Sequence, residues 1–226
     1  MRLLLLSVLS VLSLAAADPA GSWRDLFNGR NLDGWESRGD GVWVVLTDGT
    51  LVGERLPNKT FPQVWPMDRE TFHRWLYRQA WLYTTAEFDE FDLRLDYWLR
   101  SEGNSGISIR DKSRAAYATG DQADFRRTPA RIAYEIQLSN GYPDKHPSGS
   151  IYTFVDAPTG LQKDDQWNTI EIQSRRDGIR VLLNGQKAAE HPGDPARSKT
   201  GPIGLQLHDQ YSVAQFRHIR IREIKR

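Results

Sequence analysis

Alternation of apolar and polar residues, with a period of two, is the dominant pattern along this chain. Between Phe91 and Leu99 every second side chain is apolar, and most of the intervening side chains are polar. Successive side chains of a β-strand point to opposite faces, so this segment predicts a half-buried strand.

Two Asp-Gly pairs each separate two such segments and predict tight hairpin turns. The segments are residues 42–46 with 51–52 around Asp48-Gly49, and residues 167–174 with 179–183 around Asp177-Gly178. Asn184-Gly185 predicts a further turn, towards Ala188 and Ala189. Additional strands are predicted at residues 106–110, 132–138, 150–154, 203–208 and 213–223.

Helical periodicity is weak throughout the chain, and one short helix is predicted at residues 68–76. Residues 57–78 and 111–131 are rich in polar residues and prolines and predict long loops, which are often functional in compact domains. Many short strands joined by turns predict an all-β fold, an antiparallel sandwich or jelly roll.

The N-terminal residues differ from the rest of the chain. Met1-Arg2 precedes an apolar run that ends at Leu14, and three alanines then lead to Asp18. A run of this length is too short for a membrane anchor and is typical of a cleaved signal peptide. We therefore expect residues 1–17 to be a signal peptide, residues 18–226 to form one domain, and the mature protein to be periplasmic or extracellular.

Composition excludes several classes of function. The chain has 226 residues, 30 Lys and Arg against 29 Asp and Glu, and no cysteine. A net charge of +1 predicts no nucleic-acid partner, which would need a clustered basic surface. The lack of cysteine excludes disulfide scaffolds, thiolate zinc sites and cysteine nucleophiles.

The chain also contains eight tryptophans, a residue that can stack on sugar rings. Four of them lie in strand or turn motifs and are expected to pack in the core: Trp35, Trp43, Trp81 and Trp167. Trp98 is out of phase with the apolar residues of its strand, and Trp65 and Trp75 lie in the first long loop. These last three are the predicted stacking residues.

Strand alternation also sorts the polar side chains. Three predicted strands each place two polar residues opposite their apolar residues: Ser108 with Arg110, Glu135 with Gln137, and Gln206 with His208. Neighbouring strands would bring these pairs together, giving a face that can bind hydroxyl groups and move protons. Gly204 on the same face would leave room for a ligand. The alternative is a plain solvated face without function.

Motifs of other chemistries are missing from the sequence. It has no nucleophile elbow, phosphate loop, dinucleotide fingerprint or H-E-x-x-H motif. A second carboxylate to pair with Glu135, as conventional glycosidases require, is not evident either.

Several segments, taken in order, resemble the 3-keto-disaccharide hydrolase domain family. The segments include Leu26–Trp35 (LFNGRNLDGW), Gly103–Arg110 (GNSGISIR), Tyr134–Leu138 (YEIQL) and Gly201–His208 (GPIGLQLH). The resemblance implies a concanavalin A-like jelly roll of two antiparallel sheets. It also implies activity on glycosides whose glucose unit is oxidised at C3.

A ketone at C3 acidifies the C2 hydrogen, so a base can start an elimination that expels the group on C1. We expect His208 or Glu135 to act as base and acid, and Arg110 to stabilise the enolate oxygen. The residues expected to hold substrate hydroxyls are Asn104, Ser108, Gln137 and Gln206. A divalent metal ion on Glu135 and His208 is an alternative way to polarise the ketone. Two other functions stay open: a non-catalytic carbohydrate-binding module of lectin type, and a conventional β-glycanase.

Overall fold

A computed structural model describes residues 21–55, 66–141 and 145–225. The predicted signal peptide and Trp65 lie outside these ranges. Within them the chain is mostly β-structure. The strands are β1 (Arg24–Asp25), β2 (Trp35–Arg38), β3 (Gly41–Val45), β4 (Leu51–Arg55), β5 (Ala80–Thr84), β6 (Phe91–Leu99), β7 (Gly103–Ile109), β8 (Tyr134–Asn140), β9 (Asn168–Arg175), β10 (Gly178–Leu183), β11 (Gln186–His191), β12 (Ile203–Leu207) and β13 (Val213–Glu223).

These strands form two antiparallel sheets. The larger sheet has eight strands in the order β11-β10-β9-β6-β13-β4-β3, with β1 added beside β13. The smaller sheet has five, in the order β2-β5-β12-β7-β8. The predicted all-β jelly-roll sandwich is therefore confirmed.

The core lies between the two sheets. In the larger sheet Leu95 of β6 is paired with Ile170 of β9, and both side chains are buried. In the smaller sheet Ile107 of β7 is paired with Ile136 of β8 and with Leu205 of β12, and all three are fully buried. Alternation then sends the polar residues of β7, β8 and β12 to the outer face of the smaller sheet.

A short helix lies at the edge of that outer face. Helix α1 (Arg69–Tyr77) begins at Asp68, whose side chain accepts a hydrogen bond from the Thr71 amide at 2.8 Å. Such a side-chain cap satisfies an amide that has no partner within the helix. The helix predicted at residues 68–76 is therefore confirmed.

An ion cluster connects the end of α1 to the larger sheet. The Asp40 carboxylate accepts hydrogen bonds from Arg55 Nε at 2.7 Å and from Arg78 NH2 at 2.7 Å. Arg55 is only 1% exposed and also donates to the backbone carbonyl of Arg78. The cluster fixes the chain between α1 and β5, which leads directly into the smaller sheet.

Two strand predictions need correction. The strand predicted at residues 150–154 is wrong, because the chain reverses there: the Val155 amide donates to the Ile151 carbonyl at 3.0 Å. The strand predicted from Ile132 starts later, since helix α2 (Pro129–Ile132) precedes β8. Proline favours the first turn of a helix, where its missing N–H is not needed.

Among the helices of the described ranges, none is long and apolar enough to cross a lipid bilayer.

Candidate active site

Three strands of the smaller sheet bring the predicted polar residues to one face. Ser108 of β7 is paired with Glu135 on β8 and with Gly204 on β12. Gly106, two residues earlier on β7, is paired with Gln137. Directly opposed residues of paired strands share a face, so the strand pairing expected from the sequence is the one observed.

This face carries a cavity of about 250 Å³. Glu135 and His208 both line it, although the chain separates them by more than seventy residues. The other residues that line it are Tyr77, Gln79, Phe125, Thr128, Ala130, Arg131 and Tyr152. The cavity therefore joins the two predicted acid–base residues to donors and aromatic rings from α1, from the segment before α2 and from the segment after β8.

Glu135 is held at the floor of the cavity. Its side chain is 3% exposed, and its Oε1 accepts a hydrogen bond from Gln206 Nε2 at 2.9 Å. Gly106 makes the space for it, because a Cβ on Gly106 would lie 2.7 Å from Glu135 Oε1. The carboxylate thus has a fixed position in the cavity that His208 also lines.

The predicted hydroxyl-binding residues lie beneath the cavity. Asn104, Ser108, Gln137 and Gln206 share the outer face with Glu135, but all four are buried and none of them lines the cavity. Gln137 Nε2 donates to Asn104 Oδ1 at 3.1 Å, and Gln206 donates to Glu135. Of these four residues, Gln206 therefore supports Glu135 directly. Their direct binding to substrate stays a prediction.

Asp209 supports His208, and sequence reasoning missed it. Asp209 Oδ2 lies 3.2 Å from His208 Nδ1, while Asp209 Oδ1 accepts from the Tyr211 amide at 2.8 Å. Burial opposes ionisation of Asp209, but hydrogen bonds from His208, Tyr211 and Ser212 outweigh it and lower its pKa. An ionised Asp209 favours the proton on Nδ1, which leaves Nε2 as the nitrogen able to accept one.

Gln79 is a second residue that sequence reasoning missed. Its Oε1 accepts a hydrogen bond from Trp81 Nε1 at 3.0 Å. An indole nitrogen can only donate, so the amide oxygen must face Trp81. The Nε2 group is then the end of the Gln79 amide that can donate to a ligand in the cavity.

Arg110 does not belong to this face. Its φ is 65°, so the alternation of β7 ends at Ile109 and the Arg110 side chain turns towards the larger sheet. Its Nη2 atom donates to Ser174 Oγ at 2.8 Å and to the Arg175 carbonyl at 2.5 Å, and Arg110 is 1% exposed. The predicted place of Arg110 on this face is therefore wrong, because its guanidinium lies between the two sheets and does not line the cavity.

The two predicted stacking tryptophans that the structure describes do not line the cavity. Trp98 lies on β6 of the larger sheet, on the opposite side of the sandwich. Trp75 is 6% exposed within α1, and Trp65 lies outside the described residues. The aromatic side chains that line the cavity are instead Tyr77, Phe125 and Tyr152.

Part of the outer face is closed by the chain itself. Trp81 and Tyr83 of β5 are fully buried on this face against Ala115 and Ala118. A Cβ on Gly204 would lie 2.4 Å from the Tyr83 ring, so that ring occupies the space expected for a ligand. The site is therefore confined to the part of the face around Glu135 and His208.

A metal site is not supported by the residues present. Across residues 21–55, 66–141 and 145–225, no group of three His, Asp or Glu side chains could hold a metal ion. Glu135 and His208 alone give too few donors for a tetrahedral or octahedral site.

Solved structures of other proteins share the fold of this chain. Two proteins of Parabacteroides distasonis, provisionally described as glycosyl hydrolases, share 18% and 24% sequence identity with this chain. The match to the first covers 88% of this chain and 92% of that protein, with a TM-score of 0.62. The match to the second covers 88% of this chain and 98% of that protein, with a TM-score of 0.60.

A Bacillus subtilis protein with a galectin-like fold is more distant, at 13% identity. The match covers 92% of this chain and 97% of that one, with a TM-score of 0.51. None of the curated proteins compared with the chain matches it significantly. Among protein families, residues 22–222 match the model described as the 3-keto-alpha-glucoside-1,2-lyase-like domain.

Proposed function

Because this match spans residues 22–222, the chain belongs to the 3-keto-alpha-glucoside-1,2-lyase-like domain family, and we propose that it cleaves 3-keto-glucosides by elimination followed by hydration. The observation that carries the proposal is the meeting of Glu135 and His208 in one cavity on the smaller sheet.

The reaction begins with the acidic hydrogen on C2. A base removes this proton, and the electron pair is held as an enolate with its charge on the C3 oxygen. The enolate returns to a ketone while C1–C2 becomes a double bond and the C1–O bond breaks. The departing oxygen takes one proton, and water then adds across the double bond to complete a net hydrolysis.

His208 is the proposed base. Asp209, held ionised by its hydrogen bonds, orients the ring through Nδ1. The other ring nitrogen can then accept the C2 proton. Positioned acid–base groups of this kind contribute about 10²–10⁴ in rate.

Glu135 is the proposed acid for the departing oxygen. It lies in the same cavity, and Gln206 fixes one of its carboxyl oxygens. The elimination removes one proton from C2 and adds one to the departing oxygen, so it needs one residue that accepts a proton and one that donates a proton. In its protonated form a carboxyl group can donate to the leaving group.

Gln79 takes the role that sequence reasoning gave to Arg110. Its Nε2 group would donate a hydrogen bond to the enolate oxygen, while Trp81 holds the other end of the amide. Arg131 also lines the cavity and adds a positive charge there. Donors placed where negative charge develops stabilise such an intermediate.

The presence of a single carboxylate among the described residues of the cavity favours this route over conventional glycoside hydrolysis. Among the described residues that line the cavity, Glu135 is the sole carboxylate. Retaining and inverting glycosidases use two carboxyl groups, one on each side of the scissile bond. An elimination through a C2 carbanion needs no second carboxylate.

The experiment that tests the proposal compares a 3-keto-disaccharide with its unoxidised parent. Cleavage of the keto sugar alone supports the proposed function. Cleavage of both sugars would indicate a β-glycanase, and binding without cleavage would indicate a lectin-type module. A His208→Gln protein serves as the matched control, because it should bind the keto sugar without cleaving it.

We also propose that residues 1–17 direct export of the protein. The apolar run and the small residues before Asp18 support this proposal. Sequencing the N-terminus of the exported protein tests it, with Asp18 as the expected first residue and an intact Met1 as the contrary result.

A further inference from the structure

A second cavity, of about 530 Å³, adjoins the candidate active site. It lies between α1 and the short 3₁₀ turn of residues 125–127. Phe125 lines both this cavity and the smaller one that holds Glu135 and His208. The two cavities therefore meet at one aromatic side chain.

Four of the charged residues around the second cavity form two ion pairs. Arg74 Nη1 lies 2.6 Å from Glu70 Oε1, and Arg126 Nε lies 3.3 Å from Asp124 Oδ1. Arg69 also lines the cavity, so its lining carries three arginines and two carboxylates. This small positive excess disfavours a cationic ligand.

The remaining walls present mostly apolar surface. Ala123, Phe125 and the ring of His73 contribute to them. Phe125 is 38% exposed, and Tyr77, which lines the smaller cavity, is 44% exposed. Large exposed apolar groups that surround a cleft commonly mark a ligand-binding groove.

From these observations we infer that the second cavity is the subsite for the leaving group, and that it takes an aryl group stacked on Phe125. The inference rests on the proposed function, since it places the C1 substituent where the two cavities meet. In the cleavage step the C1–O bond breaks, the aryl oxygen takes one proton, and a phenol departs into the second cavity.

Flat apolar rings suit such a wall because aromatic pairs stabilise a complex beyond the area that they bury. Of the predicted sugar-stacking tryptophans, the two described ones give no comparable surface, because Trp75 is buried and Trp98 lies on the other sheet. Phe125 supplies this surface instead, and it also lines the cavity of Glu135 and His208.

The test uses two substrates that differ only at C1, phenyl and methyl 3-keto-α-glucoside. The full-length protein is compared with a Phe125→Ala variant. We expect kcat/KM for the phenyl substrate to fall about tenfold, the loss expected for a single aromatic contact. For the methyl substrate kcat/KM should change by less than about twofold, because a methyl group has no ring to stack on Phe125.

Phe72→Ala is the matched control. Phe72 lies on α1 and is 37% exposed, but it lines neither cavity, so its removal should leave kcat/KM for both substrates unchanged. Equal losses for the two substrates in Phe125→Ala, or no loss for either, would overturn the subsite. Failure of the unaltered protein to cleave either substrate would overturn the proposed function itself and the subsite with it.

Discussion

Gly106 of β7 lies diagonally across from Glu135 of β8, so close to it that only a glycine leaves the carboxylate in place. A Cβ on Gly106 would lie 2.7 Å from Oε1 and 2.9 Å from Cγ of Glu135. The same Cβ would lie 3.1 Å from Gln206 Oε1. The position of the proposed acid therefore depends on a missing side chain in the neighbouring strand.

Gly106→Ala should impair the reaction more than the fold. The Glu135 side chain is flexible enough to move aside, so we expect a small loss of stability but a carboxylate displaced from its position. A displacement of about 1 Å can cost about 10²-fold in rate. Steady-state kinetics on a 3-keto-α-glucoside, with thermal unfolding of the same samples, measures both effects.

Gly178→Ala is the control for that variant. The nearest atom to a Cβ there is the His191 carbonyl oxygen at 3.5 Å, an ordinary contact, on the larger sheet. The Gly178→Ala variant should therefore leave both the cleavage rate and the unfolding temperature unchanged. Full activity in Gly106→Ala would show that the position of Glu135 does not matter for the reaction.

Asp209→Asn should lower kcat while leaving KM nearly unchanged. Asparagine retains the shape of Asp209 but removes the charge that favours a proton on His208 Nδ1. We expect kcat to fall about tenfold or more, and about 10³-fold in His208→Gln, which lacks the base itself. Equal and full activity in both variants would remove this pair from the mechanism.

Gln79→Glu separates the two ends of the Gln79 amide. A glutamate can still accept the hydrogen bond from Trp81 Nε1, but it replaces the Nε2 donor with an oxygen. We expect kcat to fall about 10²-fold or more, with little change in the unfolding temperature. Unchanged turnover in a folded Gln79→Glu protein would contradict the proposed contact with the enolate oxygen.

Acid should destabilise the protein through the Asp40 cluster. Burial opposes ionisation of Asp40, but Arg55 and Arg78 outweigh it and lower its pKa below the ordinary value of 3.8. A carboxyl whose pKa is lowered by folding stabilises the folded state above that ordinary value. This stabilisation is lost as the pH falls below 3.8.

Asp40→Asn should lower the free energy of unfolding at pH 7 by about 3 kcal/mol, because buried Arg55 loses its partner. It should also make the decline in acid shallower. Urea unfolding at pH 7, 5 and 3 measures both effects. The exposed Asp177→Asn is the control and should change stability by less than about 0.5 kcal/mol. A wild-type stability that does not fall in acid would contradict the role of Asp40.

The sequence predicted most of the fold because burial of one face imposes alternation on the strands. The strand around Leu95 and the polar pairs of β8 and β12 follow that rule. The segment 150–154 has a similar composition but closes a local turn, which depends on hydrogen bonds between near neighbours rather than on a periodic pattern.

The site was predicted in part, for the same reason. Glu135 and His208 were found by alternation, but Arg110 was misplaced because a positive φ ends the alternation just before it. Gln79 and Phe125 reach the cavity from outside the central strands, so no periodic signal marks them. Asp209 directly follows His208, and a search for carboxylates next to the candidate base would have found it.

The most direct test of the account is the fate of the C2 hydrogen. A 3-keto-α-glucoside is cleaved in D₂O, and the released 3-keto-glucose is examined by NMR soon after the start. Authentic 3-keto-glucose kept in the same buffer without protein corrects for spontaneous exchange. Elimination followed by hydration predicts one deuterium at C2 of the released sugar. Retention of the original hydrogen at C2, with cleavage still occurring, would contradict proton abstraction by His208 and the mechanism built on it.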